Sequence, residues 1–294
     1  MEQSYKAGSL TRPVSALKAS KSMLSTSRDS LAHWATHARM EYLRSRFDDA
    51  RKVYHTVLLA NSSTARAGEG TMWWDWAQME WLARNDDAAV QVILRSSKVP
   101  GSGGLAVLRA KRHFETLLSQ QPLPESWKEQ VHWIQLAALL ELLTSSPQAA
   151  LSLFESRLGD VVPGTAAHES LTVASICMLY NHAIVLKNPT PPALLRERAE
   201  RAIEIYPNNT AIFGIFLEAE KGQGIWGKVR AALGETAADG TGKEKGVARR
   251  VAEVWVAGWE KGRWEAGVER TRSGLMAAVE SDRCVCYVLV WVSA

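Results

Sequence analysis

The sequence predicts an all-helical repeat protein, built from antiparallel helix pairs stacked side by side into a solenoid. Three observations predict it: one residue template recurs without gaps along the chain, its apolar positions keep helical spacing, and proline and glycine fall between the periodic stretches. At 294 residues the chain is long for a single central core, but a repeat array has no such limit because each unit touches only its neighbours.

The template starts at Trp34, Ala38 and Glu41 and continues through Phe47, Ala50, Arg51, Val53, Tyr54 and Leu58. A shift of 39 residues lays Trp34 on Trp73, Ala38 on Ala77, Glu41 on Glu80, Ala50 on Ala89 and Val53 on Val92. A shift of 100 lays Ala38 on Ala138, Glu41 on Glu141, Ala50 on Ala150, Tyr54 on Phe154 and Leu58 on Leu158. A shift of 179 lays Trp34 on Phe213, Glu41 on Glu220, Phe47 on Trp226 and Arg51 on Arg230.

The spacing has a physical reason. Residues at i, i+4 and i+7 share one helix face, so Trp, Ala and Glu line the packed side of a first helix. The Trp fills the space beside its partner helix, and the Ala lets the two backbones approach. A short polar turn, Arg44–Asp48 in the first unit, reverses the chain. Ala50, Val53, Tyr54 and Leu58 then form the stripe of a second helix. The recurring Glu is expected to pair with backbone or with a basic residue of a neighbouring helix, because an unpaired buried carboxylate is costly.

Further elements follow from the same reasoning. Leu105–Gln120 is a helix begun after the breaker run Pro100–Gly104, and 171–186 with 193–205 form another pair around Asn188–Pro192. A looser fifth unit begins at Trp255 and continues through Glu269–Val279. Asn61–Thr71 and Gly234–Gly246 read as mobile connections. The expected organisation is a disordered start over residues 1–10, a repeat domain over 11–280 and an atypical tail over 281–294.

Composition narrows the function. Three cysteines, Cys177, Cys284 and Cys286, cannot build a disulfide framework and have no zinc-ligand spacing, which fits a reducing compartment. The start MEQSYKAGSLTRP lacks the apolar core of a secretory signal. The longest apolar run, Cys284–Val292, has nine residues, too few to span a bilayer as a helix, so no membrane partner is expected. Net charge is +4, distributed unevenly. Residues 1–60 carry ten Lys/Arg against five Asp/Glu, residues 121–170 two against six, and residues 221–273 eleven against seven. One long surface can thus show different signs to different partners.

Catalytic signatures fail on inspection. Gly240-Thr241-Gly242-Lys243 lacks the first glycine of a phosphate loop, where Ala237 stands, and the Ser/Thr after the lysine, where Glu244 stands. His168-Glu169 opens a zinc-protease motif, but Thr172 occupies the second histidine position. His33 and His37 are one turn apart with no third metal ligand in view. The expectation is a non-enzymatic protein with no cofactor, no metal and no catalytic residue. The twelve tryptophans point to large knobs packed between helices. Of the Trp73-Trp74-Asp75-Trp76 cluster, Trp73, Trp76, Ala77 and Glu80 share the inner face, which puts Trp74 and Trp81 at one rim. If a ring is exposed, these two are the partner contacts the wheel predicts. Lys243, Lys245, Arg249 and Arg250, beside the Gly234–Gly246 loop, are the second candidate, placed to steer an acidic segment or an RNA backbone.

The W-x3-A-x2-E helix followed by A-R-K-V-Y resembles the half-a-TPR (HAT) repeat, which implies a right-handed α-solenoid of HAT/TPR-like antiparallel pairs. Ser20–Leu24, Arg28–Leu31, His33-Trp34, Ala50–Leu58, Met72–Leu82 and Val268–Ser273 further resemble the nuclear RNAi-defective ("necessary for RNA interference", NRDE) family. The resemblance runs over residues 10–280 and matches the C-terminal repeat portion of a longer family protein. It implies a nuclear scaffold for protein partners in RNA-mediated silencing, RNA surveillance or pre-mRNA processing. Implied partners are an exosome-associated RNA helicase, which the family contacts through an N-terminal part not matched here, or splicing factors, with RNA engaged indirectly. The alternative is a HAT-repeat splicing or 3′-end-processing factor that binds RNA directly.

Overall fold

The computed structural model describes residues 13–27, 29–59, 66–99, 101–120, 123–206 and 209–221. These residues form eleven α-helices and one π-helical turn, with no strand among them. The chain divides into two compact units, Met1–Val161 and Val162–Ala294. The fifth repeat, the Gly234–Gly246 loop and the Cys284–Val292 tail lie outside the described residues.

The first unit holds α1 (Pro13–Thr26), α2 (Leu31–Leu43), α3 (Phe47–Leu59), α4 (Glu69–Leu82), α5 (Asp86–Ser96), α6 (Gly104–Gln120), α7 (Leu123–Thr144) and α8 (Pro147–Gly159). The three template matches become three packed pairs, α2 with α3, α4 with α5 and α7 with α8. First helices also lie on one another, α2 on α4 and α4 on α7, while α3 touches α4 and α5 touches α7. The off-template helix α6 rests against α5 and α7.

Each pair reverses direction at its recurring glutamate. The recurring glutamate contributes its backbone carbonyl: Arg46 N–H donates to Glu41 O, Asn85 N–H to Glu80 O, and Ser146 N–H to Glu141 O. In the first two pairs, with Ser45 N–H on Tyr42 O and Arg84 N–H on Trp81 O, these six-to-one bonds close the helix in the Schellman manner, whereas in the third Ser145 N–H shares the Glu141 carbonyl. Ser45 and Arg84, at the same template position, adopt the left-handed conformation that this closure needs, with φ of 61° and 62°. In the third pair Ser146 also caps the next helix, its hydroxyl accepting from Ala149 N–H, and Pro147 supplies the preset φ at the first helical position.

The template's small residues are where backbones meet. Ala38, Ala77, Ala138, Ala50, Ala89 and Ala150 are all buried, as are Tyr54, Ile93 and Phe154 at the large position of the second helix. Substituting Ala77→Leu is therefore expected to overpack α4 by about 1–3 kcal/mol. Gln78→Leu, at a half-buried position, is expected to be nearly neutral. Thermal melts of the two variants check this; equal midpoints would mean that the repeat register is wrong.

Helix α4 is covered on almost every side. It is enclosed by α2, α3, α5 and α7, and ten of its residues are buried, Asp75 and Glu80 among them. Gly70 faces α7, where an added Cβ would stand 2.8 Å from Trp133 Nε1. Only a hydrogen fits there.

The second unit holds α9 (Ala166–Tyr180), which continues into a π-helical turn over Asn181–Val185, then α10 (Pro192–Ile205) and α11 (Thr210–Lys221). All three helices pack on one another. Helix α9 begins earlier than its apolar spacing predicts because Thr165 caps it, accepting from His168 N–H. Phe213, the fourth template match to Trp34, is buried in α11 beside Ile212 and Phe216. Trp226 and Arg230 of that match lie outside the described residues.

Candidate partner-binding surface

Polar side chains of the first unit tie one pair to the next. Arg51 of α3 grips Glu80 of α4 with two parallel bonds, Nε to Oε1 at 2.7 Å and Nη2 to Oε2 at 2.8 Å. Trp76 Nε1 at 3.3 Å and Asn85 Nδ2 at 3.4 Å donate to the same carboxylate. Arg39 of α2 clasps Asp75 of α4 in the same forked way, both bonds at 2.8 Å. Glu141 meets Lys111 Nζ at 2.7 Å, supplied by the off-template helix α6. The expectation that the template glutamate faces a neighbouring cation thus holds at Glu80 and Glu141. At Glu41 the nearest cation is Arg44 of its own turn, 3.7 Å away.

Electrostatics follow this geometry. Burial pushes the Glu80 carboxyl up, but the Arg51 bonds and charge, with Trp76 and Asn85, outweigh it and hold Glu80 below its ordinary value. Arg51 is raised by the same contact. Above the pair, the rings of Trp73, Trp76 and Tyr54 stack in series, with centroids 5.8 and 5.9 Å apart.

The predicted aromatic rim needs correction. Trp74 is 6% exposed and Trp81 0%, so neither ring offers a face to a partner. The helical wheel assumed one packed side for α4, whereas four helices enclose it. The basic quartet Lys243, Lys245, Arg249 and Arg250 lies outside the described residues.

The other sequence candidates take structural places. His37 is buried with its Nδ1 3.1 Å from Ser20 Oγ, and burial lowers its pKa. In the second unit His168 Nδ1 lies 2.6 Å from the Tyr206 hydroxyl, which also accepts from Gly164 N–H. Thr172 donates to the His168 carbonyl, and Glu169 accepts from Asn209 Nδ2, while Asn209 caps α11 through Ala211 and Ile212 N–H. This cluster pins the starts of α9 and α11 to the end of α10. Among the described residues no three His, Cys, Asp or Glu side chains gather as metal ligands.

Two depressions open on the first unit. One, of about 190 Å³ between α6, α7 and α8, has Phe114, Leu118 and Leu140 as its floor and the Lys111–Glu141 pair and Arg157 at its edges. The other, of about 360 Å³, lies over the Arg51–Glu80 pair and Trp76, with Gln91 and Arg95 on its α5 wall. Spacing alone did not single out a pair of side chains on α6: Leu105 and Leu108 are 61% and 60% exposed, opposite the buried stripe Ala106, Ala110, Phe114 and Leu118. Their signal was the pattern itself, since α6 has two more leucines than its inner face uses.

Among the described residues, no helix is long and apolar enough to cross a membrane. No protein-family model matches the chain, and no curated protein matches it.

Proposed function

We propose that the chain is a non-catalytic scaffold: its helix pairs stack as a right-handed solenoid of the HAT kind, and the exposed helix faces hold protein partners in RNA-mediated silencing, RNA surveillance or pre-mRNA processing. What supports this reading is the repetition of one construction in three helix pairs, with the same buried alanines and a glutamate carbonyl that accepts at each turn, and with Arg51 reaching from the first pair to Glu80 of the second. A chain organised this way places its specificity in an extended surface. The RNA-processing class, membership of the NRDE family and a nuclear location rest on the residue stretches that resemble that family, in particular Ala50–Leu58 and Met72–Leu82.

The test is capture of partners from nuclear extract by the tagged full chain, with and without RNase. Proteins retained after RNase treatment, a helicase or splicing factors among them, are the expected result. If every retained protein is lost with RNase, and purified RNA binds with an affinity that falls steeply with salt, the direct RNA-binding alternative replaces this reading. Replacing Lys243, Lys245, Arg249 and Arg250 with Ser then separates the contribution of the basic quartet.

A further inference from the structure

Helix α6 stands outside the repeat template and turns an apolar, cationic stripe to solvent. Its inner stripe already satisfies packing against α5 and α7, so the fold does not require leucine at positions 105 and 108. Both are nonetheless about three-fifths exposed, and at i and i+3 they adjoin one another on the helix surface. Arg109 and Arg112 are interleaved with them on the same stripe and exposed. Lys98, at the left-handed residue that ends α5, adds a third exposed cation near enough for its charge to act on His113. No acidic residue stands in the first turn of α6, whose start also carries the positive end of the helix dipole. Glu115, the one carboxylate of the helix, is exposed at the C-terminal end of the stripe, one turn beyond Arg112, and also borders the cleft toward α7 and α8.

From this placement we infer that the outer face of α6 docks an acidic amphipathic helix of a protein partner, its apolar residues on Leu105 and Leu108 and its carboxylates on Arg109, Arg112 and Lys98. The other occupants fit less well. An RNA would use the cations and leave the leucines wet. A second copy of this face would bring Arg109 and Arg112 against like charges. A membrane surface calls for a longer apolar face than two leucines provide. An acidic helix laid along the stripe covers the leucines and meets each arginine with a carboxylate, and Arg accepts such a partner by forked hydrogen bonds. The inference rests on the scaffold reading above and supplies the chemistry of one of its partners.

Fluorescence anisotropy of the full chain decides it, using a short fluorescein-labelled helix with a leucine face flanked by Glu, and the same helix with Lys for Glu. The Glu peptide is expected to bind and the Lys peptide not, with the affinity falling as salt rises. Leu105→Ser with Leu108→Ser should weaken the Glu peptide about tenfold with unchanged circular dichroism, because both side chains are exposed. Arg109→Glu with Arg112→Glu should reverse the preference toward the Lys peptide. Equal binding of both peptides, binding of neither, or variants that bind like the parent would each overturn the inference. So would tighter, leucine-dependent capture of a single-stranded RNA or of anionic phosphatidylserine vesicles. The nuclear-extract experiment, repeated with all four positions replaced, keeps the two readings apart. Partners retained by that variant would remove α6 as the dock and leave the scaffold standing, whereas no partner even for the parent would count against the scaffold itself.

Discussion

Arg51→Ala is expected to lower stability by about 2–3 kcal/mol, because it strands the Glu80 carboxylate inside the fold. The Glu80 side chain is 3% exposed and the Arg51 side chain 36%. The loss therefore falls below that of a wholly buried pair, since water still screens the guanidinium. The surface bond from Arg51 to Asp48 adds little, Asp48 being 84% exposed. Glu80→Gln on the Arg51→Ala background should recover part of the loss, as a neutral amide is cheaper to bury than an unpaired carboxylate. The pH dependence carries a definite sign. Glu80 is held below its ordinary carboxylate value, so the pair's contribution is complete above that value and is lost as the pH falls through the lowered one. Without Arg51, burial is opposed by the Trp76 and Asn85 hydrogen bonds but no longer by the guanidinium, and Glu80 rises from its lowered value. The acid-unfolding midpoint of Arg51→Ala should then move to higher pH. Urea melts at neutral pH and an acid titration of parent, single and double variants measure all of this. A single variant that melts like the parent would show that the carboxylate finds water or another partner when the arginine is gone.

The pair also shows what the sequence made legible and what it did not. The template named Glu41, Glu80, Glu141 and Glu220 as carboxylates on the packed side that pair with backbone or with a basic residue of a neighbouring helix, because an unpaired buried carboxylate is costly. It did not say which cation. Arg51 belongs to the template in the first unit, but Val90 and Leu151 stand at its position in the second and third, so its contact with Glu80 is particular to that pair. Lys111 comes from α6, for which the template has no place. The closeness of Gly70 to Trp133 was equally invisible, since it depends on how α4 and α7 approach across intervening helices. Periodicity is a property of one helix, and these contacts are properties of two.

The misplaced aromatic rim has the same origin, although a signal was present. A helix that faces a core on one side shows an apolar stripe, whereas α4 is apolar nearly all round, with Met72, Trp73, Trp74, Trp76, Met79 and Trp81 spread about its axis. That composition reads as enclosure rather than as a rim. Among the described residues of the first unit, the most exposed large apolar side chains lie instead on α6, where an ordinary inner stripe leaves two leucines over.

Trp81→Ala is accordingly expected to cost about 3–5 kcal/mol, the loss of a fully buried indole together with the cavity left behind. Trp81→Phe separates ring from polar handle. The indole Nε1 is buried without a hydrogen-bond partner, so phenylalanine removes an unsatisfied donor while keeping most of the apolar surface. Relief of that donor, about 1–3 kcal/mol, offsets much of the lost volume, and Trp81→Phe should melt within about 1 kcal/mol of the parent. A partner-contacting Trp81 makes the opposite forecast: alanine would weaken partner capture and leave the melting temperature alone. Measuring melting and nuclear-extract capture on the same two variants distinguishes these cases. A stable Trp81→Ala protein that no longer holds its partners would return this ring to the binding surface.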